Sequence, residues 1–243
     1  MFITAAFVLF TALLASADSA PPSMPINGPA GIVHVTGAEG KHSSFEKTKV
    51  SSKAVSPSMR LSYHACKGEE QKQIARAVKE AQKYAKAAYQ HLKSNPNGSE
   101  LLHHWFGGFD PERYQSILKS SSTLRKLPQT WEYQCVHFCP TVGNNTRYAW
   151  ANTERPGTFN ICPAFWELPP AKNSNLKAFN IIQEGTHFRE VLGIENHVYG
   201  YSNSLKLVTS PEMARTNGPN HAYFFLAAWG EEVKNNLKSA WLS

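Results

Sequence analysis

The chain has 243 residues, of which 42% are hydrophobic and 12% aromatic, and its formal net charge is +7. This composition is typical of one globular domain with a buried core, and it excludes a largely disordered or collagen-like chain. The positive charge gives a general attraction to anionic surfaces and says nothing about the fold.

The first 17 residues have the pattern of a secretory signal peptide. An apolar run from Phe2 to Leu14 precedes Ala15-Ser16-Ala17, which matches the small-residue cleavage pattern. The run is shorter than the roughly 20 apolar residues that span a bilayer, and no later stretch is long enough to do so. We therefore expect a secreted monomer with no transmembrane segment.

Residues 18–60 are rich in Ser, Pro, Gly and Lys and show no sustained period. This composition predicts a poorly ordered N-terminal arm or a short pro-segment. From residue 61 the pattern changes, and we assign residues 61–243 to a single folded domain.

A long helix is predicted from Gly68 to about Asn95, because apolar residues recur at steps of three and four from Ile74 to Leu92. Its opposite face carries a basic stripe, which consists of Lys72, Arg76, Lys79, Lys83 and Lys86. Such a stripe is typical of a solvated helix face. The alternative is a docking surface for anionic glycans, membranes or nucleic acid.

A second helix is predicted from Pro111 to about Leu124, because Asp110 suits the N-cap and proline suits the first helical position. Three aromatic and β-branched stretches then predict short strands, namely "WEYQCVHFC", "RYAWANT" and "TFNIC". A helix is predicted over residues 173–192, ending at Gly193, and a last helix over about 219–238. This order predicts an α+β domain with a small, mostly antiparallel sheet.

Four cysteines in an oxidising compartment predict two disulfides, drawn from Cys66, Cys135, Cys139 and Cys162. A zinc–cysteine site is the competing interpretation, and it is disfavoured because the spacing of Cys135 and Cys139 has no matching second pair. Asn97 and Asn144 begin N-glycosylation sequons.

The stretch Gln183-Glu184-Gly185-Thr186-His187 occupies the five places of an H-E-x-x-H zinc motif, with glutamine at the first histidine. On a helix, Gln183 and His187 share a face and Glu184 lies beside them. In H-E-x-x-H the two imidazoles hold zinc and the glutamate deprotonates the bound water. Glutamine is a poor zinc ligand, and alone the pattern is typical of a chance match. Gly185 costs the helix about 1 kcal/mol against alanine, which requires a reason such as close packing of a neighbouring backbone.

Four segments give this stretch its context: "CPAFWELPP" (162–170), "THF" (186–188), "GIENHVYG" (193–200) and "NGPNHAYF" (217–224). In this order and spacing they resemble the secreted fungal aspzincin metalloendopeptidases, which include deuterolysin and the peptidyl-Lys metalloendopeptidases. The resemblance runs from about residue 66 to 229 and implies a zincin-like fold with an active-site-type helix. It also implies that Cys66 pairs with Cys135 and Cys139 with Cys162.

The same resemblance shows which zinc ligands are replaced. The places of the family's two histidines and one aspartate hold Gln183, His187 and Asn196, while the base Glu184 and the transition-state tyrosine Tyr199 remain. The acids that receive a lysine side chain align with Pro219 and Ala222, or the first with Asn220, so we expect no lysine selectivity.

These observations predict a catalytically impaired pseudopeptidase that keeps a cleft for an unidentified peptide or protein partner. We expect no metal cofactor, or zinc if the protein is active. A first alternative is an active zinc metalloendopeptidase with rearranged ligands, drawn from Glu190, Glu195, His197 and His221 beside His187. A second is a cationic surface-binding module built on the basic stripe. The pair His103-His104 is not favoured as a metal site, because adjacent side chains point apart.

Overall fold

The computed structural model describes residues 61–141, 146–168 and 174–241. The predicted signal peptide (1–17), the arm (18–60) and the sequon residue Asn144 lie outside these ranges and stay predictions. Over the described residues the domain is α+β, as predicted. No helix there is long and apolar enough to cross a membrane.

Short strands and helices of varied length alternate along the chain. The strands are β1 (Ser62–His64), β2 (Glu132–Cys135), β3 (Ala149–Asn152) and β4 (Thr158–Ile161). The longer helices are α1 (Gly68–Ser94), α3 (Pro111–Leu124), α5 (Ser174–Gly185) and α8 (Gly218–Trp241). The shorter helices are α2 (Glu100–Phe106), α4 (Ala164–Glu167), α6 (Tyr201–Lys206) and α7 (Pro211–Arg215).

The four strands form one sheet in the order β1-β2-β4-β3. β1 and β2 pair in parallel, as do β2 and β4, and only β3 and β4 are antiparallel. The predicted mostly antiparallel sheet is therefore wrong, because helices α1 to α3 carry the chain from β1 to β2 and only β3 and β4 form a hairpin. β4 lies inside the sheet and is buried at every residue, whereas β3 is an edge strand.

The helices pack around α1, whose apolar face contacts α3, α5 and α8. The bounds of α1 and α3 agree with the prediction, and the Asp110 carboxylate caps α3 by accepting from the Arg113 amide at 2.8 Å. The core between helices and sheet contains Trp131, whose ring stacks on Phe159 at 5.7 Å and packs against Phe188 at 4.9 Å.

Helix α5 ends at Gly185, about two turns before the predicted end at Gly193. The Thr186 amide is shared between the carbonyls of Ile182 and Gln183, and the next two amides bond three residues back, His187 to Glu184 and Phe188 to Gly185. The Thr186 hydroxyl donates to the Gln183 carbonyl at 2.6 Å and so competes for a helical acceptor. The chain therefore leaves the α-helical path just before His187.

Two disulfides tie the strand region together. Cys66, just after β1, bonds to Cys135 at the end of β2, and Cys139 bonds to Cys162, just after β4. Both pairings are those that the family resemblance implies.

Candidate functional site

A cleft of about 530 Å³ opens between the edge strand β3, the end of α5 and the segment 193–199. The side chains in its lining include Arg147, Trp150, Glu184, His187, Asn196 and Tyr199. Four of the residues predicted from sequence (Glu184, His187, Asn196 and Tyr199) therefore converge on one cavity, and the buried Gln183 lies directly behind Glu184.

The Glu184 carboxylate accepts hydrogen bonds from protein groups. Gln183 Nε2 donates to Glu184 Oε1 at 3.1 Å, and the backbone amide of Ala151 on β3 also donates to this carboxylate. His187 Nε2 lies 3.5 Å from Glu184 Oε2. Burial raises the pKa of the Glu184 carboxyl, while His187, the Ala151 amide, Arg147 and Gln183 act in the opposite direction.

The His187 ring is held at both nitrogens. Nδ1 contacts the Ile194 carbonyl, which only accepts, so Nδ1 carries a proton and the tautomer that this contact selects has Nε2 as its acceptor. The Asn196 amide nitrogen lies 3.2 Å from Nε2 and 3.3 Å from the Tyr199 hydroxyl, so it donates to both. The lone pair with which an imidazole binds a metal therefore already accepts a hydrogen bond.

The carbonyl oxygen of the Asn196 side chain is closely packed. This oxygen, Oδ1, is buried and has no hydrogen-bond partner among the described residues. It faces Gly218 at the start of α8, where an added Cβ would lie 2.6 Å from Asn196 Oδ1 and 2.7 Å from Thr186 Oγ1. Asn217 Oδ1 accepts from the backbone amides of His197 and Val198, which fixes the 193–199 segment against α8.

This donor set does not fit zinc. It offers one imidazole, whose Nε2 already has a partner, and two carboxamides, where a zinc site needs about three strong N, O⁻ or S⁻ ligands. Within the described ranges no three His, Cys, Asp or Glu side chains group closely enough to hold a metal ion.

The rearranged ligand set is not assembled either. His221 is fully buried between the Ser120 hydroxyl (2.9 Å) and the Arg215 carbonyl (2.7 Å), and His197 bonds Thr216. Glu190 and Glu195 are exposed. Away from the cleft, His104 packs edge-on against Trp105, so the adjacent histidines form no site with each other.

The remaining predicted positions are scattered over the fold. Asn220 is buried and donates to the carbonyls of Trp105 and Ser204, so it supports the fold rather than the cleft. Ala222 is buried as well, and Asn97 is exposed. The members of the basic stripe are all exposed.

Sequence analysis missed the lining residues on and beside β3, among them Arg147 and Trp150, and also Arg189 and the neighbouring Gly218. The first two lie at or beside the edge strand, and no local motif signals that this strand runs along the cleft. Gly218 lies in a quoted segment, but its close approach to Asn196 is a tertiary contact.

Several known proteins are similar to this chain. A family model for aspzincins, described as lysine-specific metallo-endopeptidase, matches residues 91–226. The peptidyl-Lys metalloendopeptidase of Pleurotus ostreatus is 30% identical over 161 residues, covering 65% of this chain and 92% of that protein. That of Armillaria mellea is 29% identical over 167 residues, covering 68% of this chain but only 46% of the longer relative.

A solved zinc peptidase from Grifola frondosa has the same fold. It superposes with a TM-score of 0.58 at 25% sequence identity, over 66% of this chain and 96% of that one. The chain spans about half the length of the Armillaria mellea relative (46%) and nearly all of the Grifola frondosa structure (96%).

Proposed function

The chain belongs to the aspzincin family of metalloendopeptidases, and we propose that it is a catalytically impaired member that keeps the cleft for binding a peptide or protein partner. The observation that carries this proposal is the pair of carboxamides. Gln183 donates to Glu184, and Asn196 donates to His187, so each amide satisfies an acceptor that a metallopeptidase uses in catalysis.

The electrostatics of the cleft argue against peptide hydrolysis. Metal ions usually provide the largest rate term in such reactions, and the carboxamides of Gln183 and Asn196 do not supply the ligands that would hold one at a scissile carbonyl. Glu184 and Tyr199 remain in the lining, but Glu184 alone has no activated water to deprotonate. We expect hydrolysis of unstructured protein substrates to be undetectable above the background rate.

We infer that a peptide lies along the edge of the sheet, where the Ala151 amide already donates to Glu184. β3 pairs with β4 on one side only, and Trp150 and Ala151 of this strand line the cleft. An unpaired strand edge beside a cavity can accept an extended chain as an added strand. We do not expect the cleft to select lysine side chains, because Pro219, Asn220 and Ala222 offer no carboxylate to receive one.

The proposal is tested by metal stoichiometry. We expect the purified wild-type chain to carry no zinc after exposure to zinc and gel filtration. We expect a Gln183→His, Asn196→Asp double variant to retain about one zinc per chain, because it offers two imidazoles and a carboxylate. Metal content is measured by atomic emission, beside a casein-cleavage assay.

The control is His187→Ala in the double-variant background, which should lose the metal again. The opposite result would be one zinc per wild-type chain that His187→Ala removes. It would mean that another ligand completes the site, and casein cleavage would then decide whether the rearranged metal centre is active.

A second candidate, of a different class, is a cationic surface-binding module. Its support is the exposure of the whole basic stripe along one face of α1. Lys72 and Lys83 have acidic partners, Glu69 at 3.4 Å and Glu80 at 3.6 Å, and Lys83 also lies over the Trp229 ring. The double variant Lys79→Gln, Lys86→Gln therefore removes two stripe charges without breaking these contacts. A salt-sensitive affinity for heparin that this pair abolishes would favour the second candidate.

We also propose that the protein is secreted. The signal-peptide pattern supports this, and so do the two disulfides, which persist in oxidising compartments. A relative from Aeromonas hydrophila, 26% identical over 176 residues, is itself named an extracellular protease.

A further inference from the structure

Two arginines line the cleft, the half-buried Arg147 and the exposed Arg189. Arg147 precedes β3 and Arg189 lies in the turn after α5, and both line the cavity. Among the described residues, neither guanidinium makes a hydrogen bond or an ion pair. Arginine offers a planar fork of donors that matches a carboxylate, so two unpaired forks in one cleft indicate an anionic ligand.

Arg147 has the greater need of a hydrogen-bond partner, because it is half-buried and water can solvate its guanidinium only in part. Its guanidinium lies 5.8 Å from the Trp150 ring centre, a distance at which a cation–π contact orients the side chain. It is close enough to Glu184 to affect that carboxyl, but it is outside ion-pair distance. The Glu184 carboxylate already accepts hydrogen bonds from Gln183 and from the Ala151 amide. Because it makes no hydrogen bond with Arg147, the guanidinium donors of Arg147 remain available to a ligand.

The chain segment on either side of Arg147 contains no carboxylate that could pair with its guanidinium in place of a ligand. The segment from Tyr133 to Thr153, which includes β3, contains no aspartate or glutamate. Besides Glu184, the acidic side chain in the lining is Glu195, which is exposed, so solvent screens its charge. A charged group bound at the half-buried Arg147 is screened less.

From this arrangement we infer that the cleft selects peptides by a carboxylate, received by Arg147 with Arg189 as a second contact. The inference rests on the proposed peptide-binding function and names its ligand class. The peptide lies along the β3 edge, and the carboxylate is either an Asp or Glu side chain or the C-terminal carboxylate. The selectivity is thus opposite in charge to that of a lysine-specific site.

The test is fluorescence anisotropy of the full secreted chain with three labelled extended peptides of one length. One peptide carries glutamates and an amidated C-terminus, one carries glutamines and a free C-terminus, and one carries glutamines and an amidated C-terminus. We expect the uncharged peptide to bind about tenfold more weakly than at least one of the others, as expected for the loss of one charge-assisted hydrogen bond. Whichever charged peptide binds more tightly identifies the source of the carboxylate.

Variants assign the effect to the arginines. Arg147→Gln should weaken the preferred peptide about tenfold and leave the uncharged peptide unchanged, and Arg147→Lys should restore part of the affinity. Arg155→Gln is the matched control, because Arg155 is exposed and lies outside the cleft lining. It removes the same charge and should change nothing. Melting temperatures confirm that each variant is folded.

Two outcomes would overturn the inference, and only the second would also overturn the proposed peptide-binding function. If all three peptides bind equally and Arg147→Gln has no effect, the carboxylate selectivity is wrong while the peptide-binding function stands. If none of the peptides binds, both the selectivity and the proposed peptide-binding function are wrong.

Discussion

His221 is a fully buried side chain whose two ring nitrogens are both used. Its Nε2 faces the Arg215 carbonyl, so Nε2 carries the proton, and Nδ1 lies 2.9 Å from the Ser120 oxygen, whose single hydrogen is shared between Nδ1 and the Ile117 carbonyl. A second proton on the ring would face Ser120 and take charge into the core. Burial accordingly lowers the pKa of His221 to about 4, against an ordinary value near 6.5.

This depressed pKa predicts a loss of stability in mild acid. Between pH 6.5 and 4 the unfolded chain binds a proton at His221 and the folded chain does not. The contribution is therefore complete above pH 6.5 and falls by about 3 kcal/mol as the pH drops to 4. Free energies of unfolding of the wild type and His221→Gln, measured by urea titration at several pH values, should show a flatter pH profile for the variant.

The control for this measurement is His137→Gln, because His137 is exposed. That variant should keep the wild-type slope. An identical slope for His221→Gln and the wild type would contradict the assignment.

The composition of the cleft could be predicted only in part from sequence. The helix motif pairs Glu184 with His187, the family resemblance adds Asn196 and Tyr199, and the cleft brings all four together. The spacing could not show that the two carboxamides donate to Glu184 and His187, because side-chain orientation depends on the Ile194 carbonyl and on Gly218. Nor could it show Arg147, which reaches the site through the position of β3 in the sheet.

At the scale of elements, α5 is fixed by its contact with the core at Gly185. An added Cβ there would lie 2.7 Å from Trp131 Cη2 and 2.8 Å from Leu124 Cδ2. The Trp131 ring is itself fully buried and stacked on Phe159, so it cannot move aside. The glycine that weakens the helix locally thus permits the close packing that sets the position of Glu184.

Gly185→Ala should therefore destabilise the protein by about 1–3 kcal/mol, because overpacking outweighs the gain in helix propensity. Gly230→Ala in α8 is the matched control, since nothing lies within 4 Å of its added Cβ. The control should be neutral or stabilise by up to about 1 kcal/mol. Urea unfolding of both variants measures the difference, and equal effects would exclude the packing explanation.

Local signals decide which elements are predictable. α1 and α3 have long apolar periods or clear caps, and their bounds follow from the sequence. The seven residues of α2 are too few to show an apolar period, so the sequence does not predict this helix. Its caps, Ser99 at the N-terminus and Gly107 at the C-terminus, are the local signals that it does offer. β1 has three residues and forms only by pairing with β2, far along the chain.

For the whole molecule, the disulfides connect distant parts of the chain. Cys66 and Cys135 are 69 residues apart, and Cys139 and Cys162 are 23 apart. In the chain-entropy description, the longer loop restricts the unfolded state more. Both bonds lie at the ends of strands, so each also holds the sheet that carries one wall of the cleft.

We expect the paired substitution of Cys66 and Cys135 by serine to lower the free energy of unfolding by about 4 kcal/mol. The same change at Cys139 and Cys162 should lower it by about 3 kcal/mol. Denaturant titration under non-reducing conditions measures both, with the untouched disulfide confirmed by thiol counting. The reverse order would show that native contacts, rather than loop length, determine the loss.

The parallel pairing of β1 with β2 also bears on how the chain reaches its oxidised state. Cys135 and Cys139 are near neighbours, so closing a loop from Cys66 to either one loses almost the same entropy. An unfolded chain therefore does not discriminate between the native bond and the mispaired one. Only the register of Ser62 with Glu132 brings Cys66 to Cys135. Oxidation that outruns strand pairing yields scrambled isomers, and their rearrangement by thiol exchange then limits the rate of maturation.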